Sequence, residues 1–151
     1  MKVLNEIKLS FPSRSSNEGF ARAALSAFVT PLDPTIEELA DIKTAVSEAV
    51  TNAIIHGYGN GRGTVRLHAT YSDDGAVVID VIDRGRGIED IQHARQPFFT
   101  TSEGDERSGM GFTVMESFMD GVVVRSQPGQ GTTVRLIMRL PARARALARQ
   151  A

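Results

Sequence analysis

Between Ile42 and Ala53 the apolar residues Ile42, Val46, Ala49, Val50 and Ala53 recur at intervals of three and four, the spacing of a helix buried along one stripe. A helix here constrains the rest of the chain. Glu48 and Asn52 stand four residues apart on its other side, so they project from one face, one turn above the other. A carboxylate can accept a proton, and an amide oxygen can ligate a hard cation without adding negative charge beside a polyphosphate. The pair therefore reads as a general base next to a magnesium ligand. A bare Glu-x-x-x-Asn is also what an ordinary solvated helix face looks like, so the reading depends on the remaining motifs.

A chain of 151 residues suits one domain with its own core. Its 17 basic against 18 acidic residues give no general attraction to nucleic acid or to an anionic membrane, so neither is expected as a direct partner. The absence of cysteine excludes disulfides, thiolate metal sites and a cysteine nucleophile. Three histidines in no ligand-like cluster argue against a zinc enzyme. No apolar run approaches the ~18 residues of a membrane span and no signal-peptide pattern is read, so a cytoplasmic location is expected.

Val3 to Phe11 alternates loosely and ends at Pro12, which predicts a first strand, at a sheet edge. Phe20, Ala23, Ala24, Ala27 and Phe28 have helical spacing, which predicts a helix from Ser16 to Val29 capped by Ser15 or Ser16 and stopped by Pro31. Asp33-Pro34 is expected to open the second helix, with Glu37 and Glu38 at its positive end, and Gly57 to end it as a left-handed cap after His56. Val65, Leu67 and Ala69 alternate, Ser72-Asp73-Asp74-Gly75 makes a hairpin turn, and Ala76 to Val81 has the Val and Ile density of a central strand. A short helix is expected from Ile88 to Arg95, then a long polar segment of the kind that forms lids and binding loops. A further helix carries Val114, Met115 and Phe118, and strands at Val122–Val124 and Thr133–Leu140 flank Pro128-Gly129-Gln130-Gly131. The Arg-rich stretch 141–151 is expected to be a frayed or disordered tail to a domain spanning 1–140. The order of elements predicts an α+β two-layer sandwich, helices on one face of a mixed, mainly antiparallel sheet.

The chemistry-bearing residues converge on a nucleotide. Asp83 ends an otherwise apolar strand, where a buried carboxylate needs a donor, and an exocyclic amine such as adenine N6 supplies one. Gly85 and Gly87, without a β-carbon, allow backbone to approach a flat base. Gly109 and Gly111 stand at a predicted helix start, where free N–H groups favour phosphate. No Walker A pattern is present, so a nucleotide would be bound by another route.

Taken in order, Glu48-x-x-x-Asn52, Asp83-x-Gly85-x-Gly87, Phe98-Phe99-Thr100-Thr101 and Gly109-Met110-Gly111-Phe112 resemble the N, G1, F and G2 boxes of the GHKL ATP-binding (Bergerat) fold shared by gyrase, MutL proteins and histidine kinases. The runs from Ser47 to Tyr58 and from Arg107 to Phe112 resemble one branch, the anti-sigma serine kinases of sporulation. The resemblance covers nearly the whole chain except the tail. It implies ATP or ADP with Mg²⁺ as cofactors, Asn52 on the metal, Asp83 on the adenine amine and Gly87 making room for the base. It implies a lid between Phe98 and Ser108 containing Thr100 and Thr101, and phosphates against Ser108, Gly109, Met110, Gly111 and Phe112. Arg107 is a candidate for the γ-phosphate and Thr133 for a further adenine contact. Glu48 becomes the catalytic base: histidine kinases commonly carry Asn or His at this position, whereas a serine hydroxyl needs a proton acceptor.

The function so implied is that of an ATP-dependent protein serine kinase that is also an anti-sigma factor. It would bind a sporulation sigma factor of the F type and phosphorylate an anti-anti-sigma antagonist on serine. A homodimer is implied by the same resemblance, and Arg22 on the first helix is a candidate partner contact. Two alternatives stand beside it. One is an ATP-dependent protein-binding module without phosphotransfer; the other is a histidine-kinase catalytic domain, which Glu48 and the lack of a preceding phosphoacceptor helix pair disfavour.

Overall fold

The computed structural model of the protein describes residues 2–59, 61–96 and 111–140. The first strand, β1 (Val3–Pro12), is followed by α1 (Asn17–Val29), a single 3₁₀ turn (Thr30–Leu32) and α2 (Ile36–Asn52), which continues into a π-helical turn (Ala53–Gly57). Then come β2 (Thr64–Ser72), β3 (Ala76–Asp83), a one-turn α3 (Ile91–Ala94), α4 (Gly111–Phe118), β4 (Gly121–Gln127) and β5 (Gly131–Arg139). The sheet order is β1-β2-β3-β5-β4, and each of the four pairings is antiparallel. The α+β architecture is the expected one; no parallel pair occurs among the described strands, so the mixed character expected of the sheet is not found.

Alternation along the strands sorts the sheet into two faces. Val65, Leu67, Ala69, Val77, Ile79, Val81, Val134, Leu136 and Met138 point to the face covered by helices and are buried. Ile42, Ala45, Val46, Ala49 and Val50 of α2 meet them with almost no exposure, and Leu25 and Val29 of α1 close the same core. At roughly 1.5–3 kcal/mol for each large aliphatic side chain taken out of water, this layer is the main source of stability. No helix among the described residues covers the opposite face, and there Arg135 makes a two-pronged bond to Asp80, Nε to Oδ1 at 2.8 Å and Nη2 to Oδ2 at 2.9 Å.

Three boundaries differ from expectation, each for a local reason. The second helix is not opened by Asp33-Pro34. Asp33 is left-handed (φ 50°), terminating the 3₁₀ turn, and Thr35 is the cap: it accepts from Glu38 N–H at 3.1 Å while Glu38 accepts from Thr35 N–H at 2.9 Å. This reciprocal capping box outcompetes a cap placed before a proline. At the other end Gly57 is not left-handed; the helix widens into a π turn closed by Tyr58 N–H on Ala53 C=O at 3.2 Å, and Gly59 (φ 60°) takes the left-handed position. The helix expected over 88–95 begins only at Ile91, because Ile88 N–H is committed to Ser126 Oγ and Asp90, in an extended conformation, caps the turn through His93 N–H. β1 does lie at the edge, as its loose alternation and terminal Pro12 predict.

Candidate nucleotide site

Side by side at one end of the sheet lie the C-termini of β3 and α2, the β4–β5 turn and the start of β5. Asp83, the last residue of β3, is 5% exposed. Its Oδ1 accepts Gly85 N–H at 2.9 Å, and the backbone N–H of Thr132 lies near enough to the carboxylate to favour its anion. Burial pushes the Asp83 carboxyl above the usual carboxylate range, while these two N–H groups pull the other way without prevailing. The sequence pattern calls for a donor from outside; the fold already supplies Gly85 N–H and leaves the group still unfavourably placed as an anion.

The π turn brings Gly57 onto this carboxylate. A β-carbon at 57 would stand 2.8 Å from Asp83 Oδ1 and Cγ. The Gly57 carbonyl in turn lies against Gly85, where a β-carbon would approach it to 1.9 Å, and accepts Arg86 N–H at 2.9 Å. Gly87 (φ 73°) is pressed on the other side by Gln127 C=O, 2.1 Å from where its β-carbon would be. Thus Gly85 and Gly87 need to be glycine so that the loop after β3 can be clamped between the π turn and the β4–β5 turn. That is a different requirement from room for a base, which was the expectation. Tyr58 braces the loop from below, its hydroxyl accepting Arg84 N–H and donating to Thr64 C=O, both at 2.7 Å.

Glu48 and Asn52 do share a face of α2, as their spacing predicts, and the first residue of α4 closes on them. A β-carbon at Gly111 would lie 3.2 Å from both Asn52 Nδ2 and Oδ1 and 3.4 Å from Glu48 Oε2. The helix whose start was expected to meet phosphate is therefore held beside the proposed base and metal ligand, and Phe112, expected among the phosphate contacts, is buried in the core. No cluster of three carboxylate, histidine or cysteine side chains that could cage a metal exists among the described residues. The amide oxygen of Asn52 is a neutral ligand of the kind that can hold Mg²⁺ together with phosphates and water. The space kept open by Gly111 against Asn52 fits the same arrangement.

Thr133 does not belong to this group. It pairs with Ile82, which puts it on the uncovered face of the sheet, whereas Thr132 pairs with Asp83 and shares its face. Thr132 is the residue that sequence reasoning missed; the register was available from Val134, Leu136 and Met138, whose burial requires the even-numbered positions of β5 to face inward. Gly57 reads in the sequence only as a helix terminator. Arg22 sits on α1, half exposed and 3.5 Å from Glu18. Thr100, Thr101, Arg107, Ser108, Gly109 and Met110 lie outside the described residues, as do the lid segment and the stretch 141–151.

Fold and site together define a GHKL-type nucleotide-binding domain, and a sequence profile described as a histidine kinase-like ATPase domain matches residues 11–138. Solved structures agree on the fold. The RsbU and RsbW domains of a Mycobacterium tuberculosis protein superpose with a TM-score of 0.64 at 24% identity, covering 89% of this chain and 32% of that one. A blue-light activated histidine kinase domain from Erythrobacter litoralis gives 0.58 at 19% identity, covering 91% and 64%. Among curated relatives, a protein named anti-sigma F factor from Thermoanaerobacter sp. (strain X514) is 57% identical over 136 residues, 90% of this chain and 94% of its own. Those of the same name from Geobacillus stearothermophilus (57% over 132 residues; 87% and 90%) and Clostridium botulinum strain Eklund 17B (53% over 133; 87% and 92%) match comparably. The chain belongs to the histidine kinase-like ATPase family and, within it, to the anti-sigma F factors. No helix among the described residues is long and apolar enough to cross a membrane.

Proposed function

We propose that the protein binds a sporulation sigma factor, keeping it from RNA polymerase, and uses Mg-ATP to phosphorylate a protein antagonist of that complex on serine. The observation that carries this reading is the packing of Gly111 against the Glu48 carboxylate and the Asn52 amide, at the end of the sheet where Asp83 is buried. Asp83 and Thr132 take the adenine edge. Asn52 holds Mg²⁺, whose charge when bound offsets that of the phosphates. The start of α4 faces the phosphate chain, and the family resemblance assigns Ser108, Gly109, Met110, Thr100, Thr101 and Arg107 to phosphate binding. These assignments follow the family resemblance together with the site geometry described above.

In the transfer step Glu48 accepts the proton of the antagonist's serine hydroxyl as its oxygen bonds to the γ-phosphorus and the bond to the departing ADP oxygen breaks. The proton ends on Glu48, the phosphoryl group on serine. Placement of the three reacting parts supplies most of the acceleration, and the base adds a factor of about 10²–10⁴. The histidine-kinase alternative is disfavoured by the same residue, since an imidazole nucleophile needs no such acceptor.

A switch follows if sigma factor and antagonist favour different nucleotide states of one surface. Arg22, half exposed on α1, is a candidate contact for either, and the edge strand β1 for pairing with a second copy. The reading is tested by identifying the proteins that co-purify with the full chain in ATP and in ADP. A sigma factor retained preferentially in one state and an antagonist in the other are expected; the same proteins in both would contradict the switch.

A further inference from the structure

The hydroxyl of Ser126, near the end of β4, stands at a three-way junction behind the nucleotide loop. Ile88 N–H donates to it at 2.7 Å, Gly131 C=O lies 2.9 Å away and Thr132 Oγ1 2.8 Å away. A hydroxyl has one proton and two acceptor positions. The carbonyl of Gly131 can only accept, so the Ser126 proton goes there. Ile88 N–H occupies one acceptor position, and the remaining one takes the proton of Thr132. This is the assignment in which each of the three contacts is a hydrogen bond, and it leaves no freedom in the Thr132 hydroxyl: its proton points back at Ser126.

Thr132 is paired with Asp83 on the helix-covered face of the sheet. With its hydroxyl proton drawn off behind, Thr132 Oγ1 has only lone pairs to offer on the Asp83 side, and the Asp83 carboxyl, in the ionised form that receives a 6-amino group, likewise only accepts. We propose that Ser126 is a specificity-determining positioning residue: by holding the Thr132 proton away, it makes the base-recognising edge acceptor-only, so that the site takes a 6-amino purine and rejects a 6-oxo purine. The proposal rests on the reading that this end of the sheet binds a purine nucleotide. It concerns Ser126 alone, which touches no ligand and acts through Thr132. Site edges whose buried polar groups are left facing the wrong partner discriminate strongly, because an acceptor set against an acceptor loses its hydrogen bond and adds repulsion.

The test is titration of Mg-ATP and of Mg-ITP, which carries an oxo group in place of the 6-amino group, into the full chain. Wild type is expected to favour ATP. In Ser126→Ala the Thr132 hydroxyl is released to rotate and donate to the 6-oxo group, so the preference for ATP should fall about tenfold, with ITP binding tighter than in wild type. Ser126→Thr, which keeps the hydroxyl, should restore the preference. A merely structural role would weaken both nucleotides together and leave their ratio unchanged, and that result would overturn the proposal. Should Ser126→Ala not fold, Ser126→Cys replaces it with the same expected direction, since a thiol is a weak hydrogen-bonding group. Wild type that bound neither nucleotide would instead overturn the nucleotide reading itself, and the inference with it.

Discussion

Gly57 lies on the carboxylate of Asp83, so close that a β-carbon at position 57 would come within 2.8 Å of Oδ1 and 3.0 Å of Oδ2. The contact joins the end of α2, which carries Glu48 and Asn52, to the end of the central strand, which carries the proposed adenine acceptor. The π turn achieves it: one extra residue in the last turn shifts residues 53–57 sideways onto the loop after β3.

Gly57→Ala should therefore displace a side chain that Gly85 N–H holds in place. ATP binding is expected to weaken by at least about tenfold, with a loss of stability of about 1–2 kcal/mol. Calorimetric titration and urea denaturation measure the two. Unchanged affinity would mean that Asp83 is not the recognition group.

Gly111→Ala separates stability from binding. Position 111 opens α4, where the helix-interior preference for alanine over glycine does not apply in full, so the melting temperature should change little. The added methyl group narrows the space beside Asn52 and Glu48, where its approach would be 3.2 and 3.4 Å. Mg-ATP affinity should drop several-fold. Binding equal to wild type would show that the nucleotide lies elsewhere.

Asp83 gives the stability of the unliganded protein a pH dependence of known sign. Its carboxyl is raised above the unfolded value by burial, so the folded chain holds this proton more tightly than the unfolded chain does. The associated stabilisation is full below the unfolded pKa of an aspartate and is lost as pH rises through the folded one. Asp83→Asn lacks this loss. The stability of the variant relative to wild type, from denaturation of nucleotide-free protein, should improve as pH increases from about 4 through the raised folded value. A difference that is flat, or that declines with increasing pH, contradicts a raised carboxyl at Asp83.

On the uncovered face, Arg135 is the partner of Asp80, which is 8% exposed. Arg135→Ala leaves a largely buried carboxylate without its two-pronged partner. Because Arg135 is itself about half exposed, the cost is set at the lower end, about 1–2 kcal/mol, or a fall in melting temperature of roughly 2–8 °C. Nucleotide affinity should not change, since this face is turned away from Asp83. The double variant Asp80→Ala/Arg135→Ala should be destabilised by less than the sum of the two single changes.

Much of this arrangement is legible in the order of residues. The three-and-four spacing from Ile42 to Ala53 sets α2 and turns Glu48 and Asn52 to one side, and the Val and Ile density of Ala76 to Val81 puts β3 at the centre. What is not legible depends on contacts between segments far apart in the chain. Nothing local to Gly57 tells that its backbone will close on Gly85, or that the helix will widen to reach it. Thr132 and Thr133 are the same residue type; the alternation of Val134, Leu136 and Met138 turns Thr132 inward, but only the pairing of β5 with β3 sets it opposite Asp83. The Thr35–Glu38 capping box is a local signal, but the adjoining Asp33-Pro34 offers a competing one, and only the left-handed turn at Asp33 separates them.

On the reading proposed above, Glu48 takes a proton from a serine beside an ATP held by Asn52 and Asp83. The most direct test is single-turnover transfer from γ-labelled ATP to the antagonist that co-purifies with the full chain, comparing wild type with Glu48→Gln at saturating Mg-ATP. The account predicts undiminished nucleotide binding with phosphoserine formation slowed by about 10²–10⁴. Transfer by Glu48→Gln at the wild-type rate would contradict it.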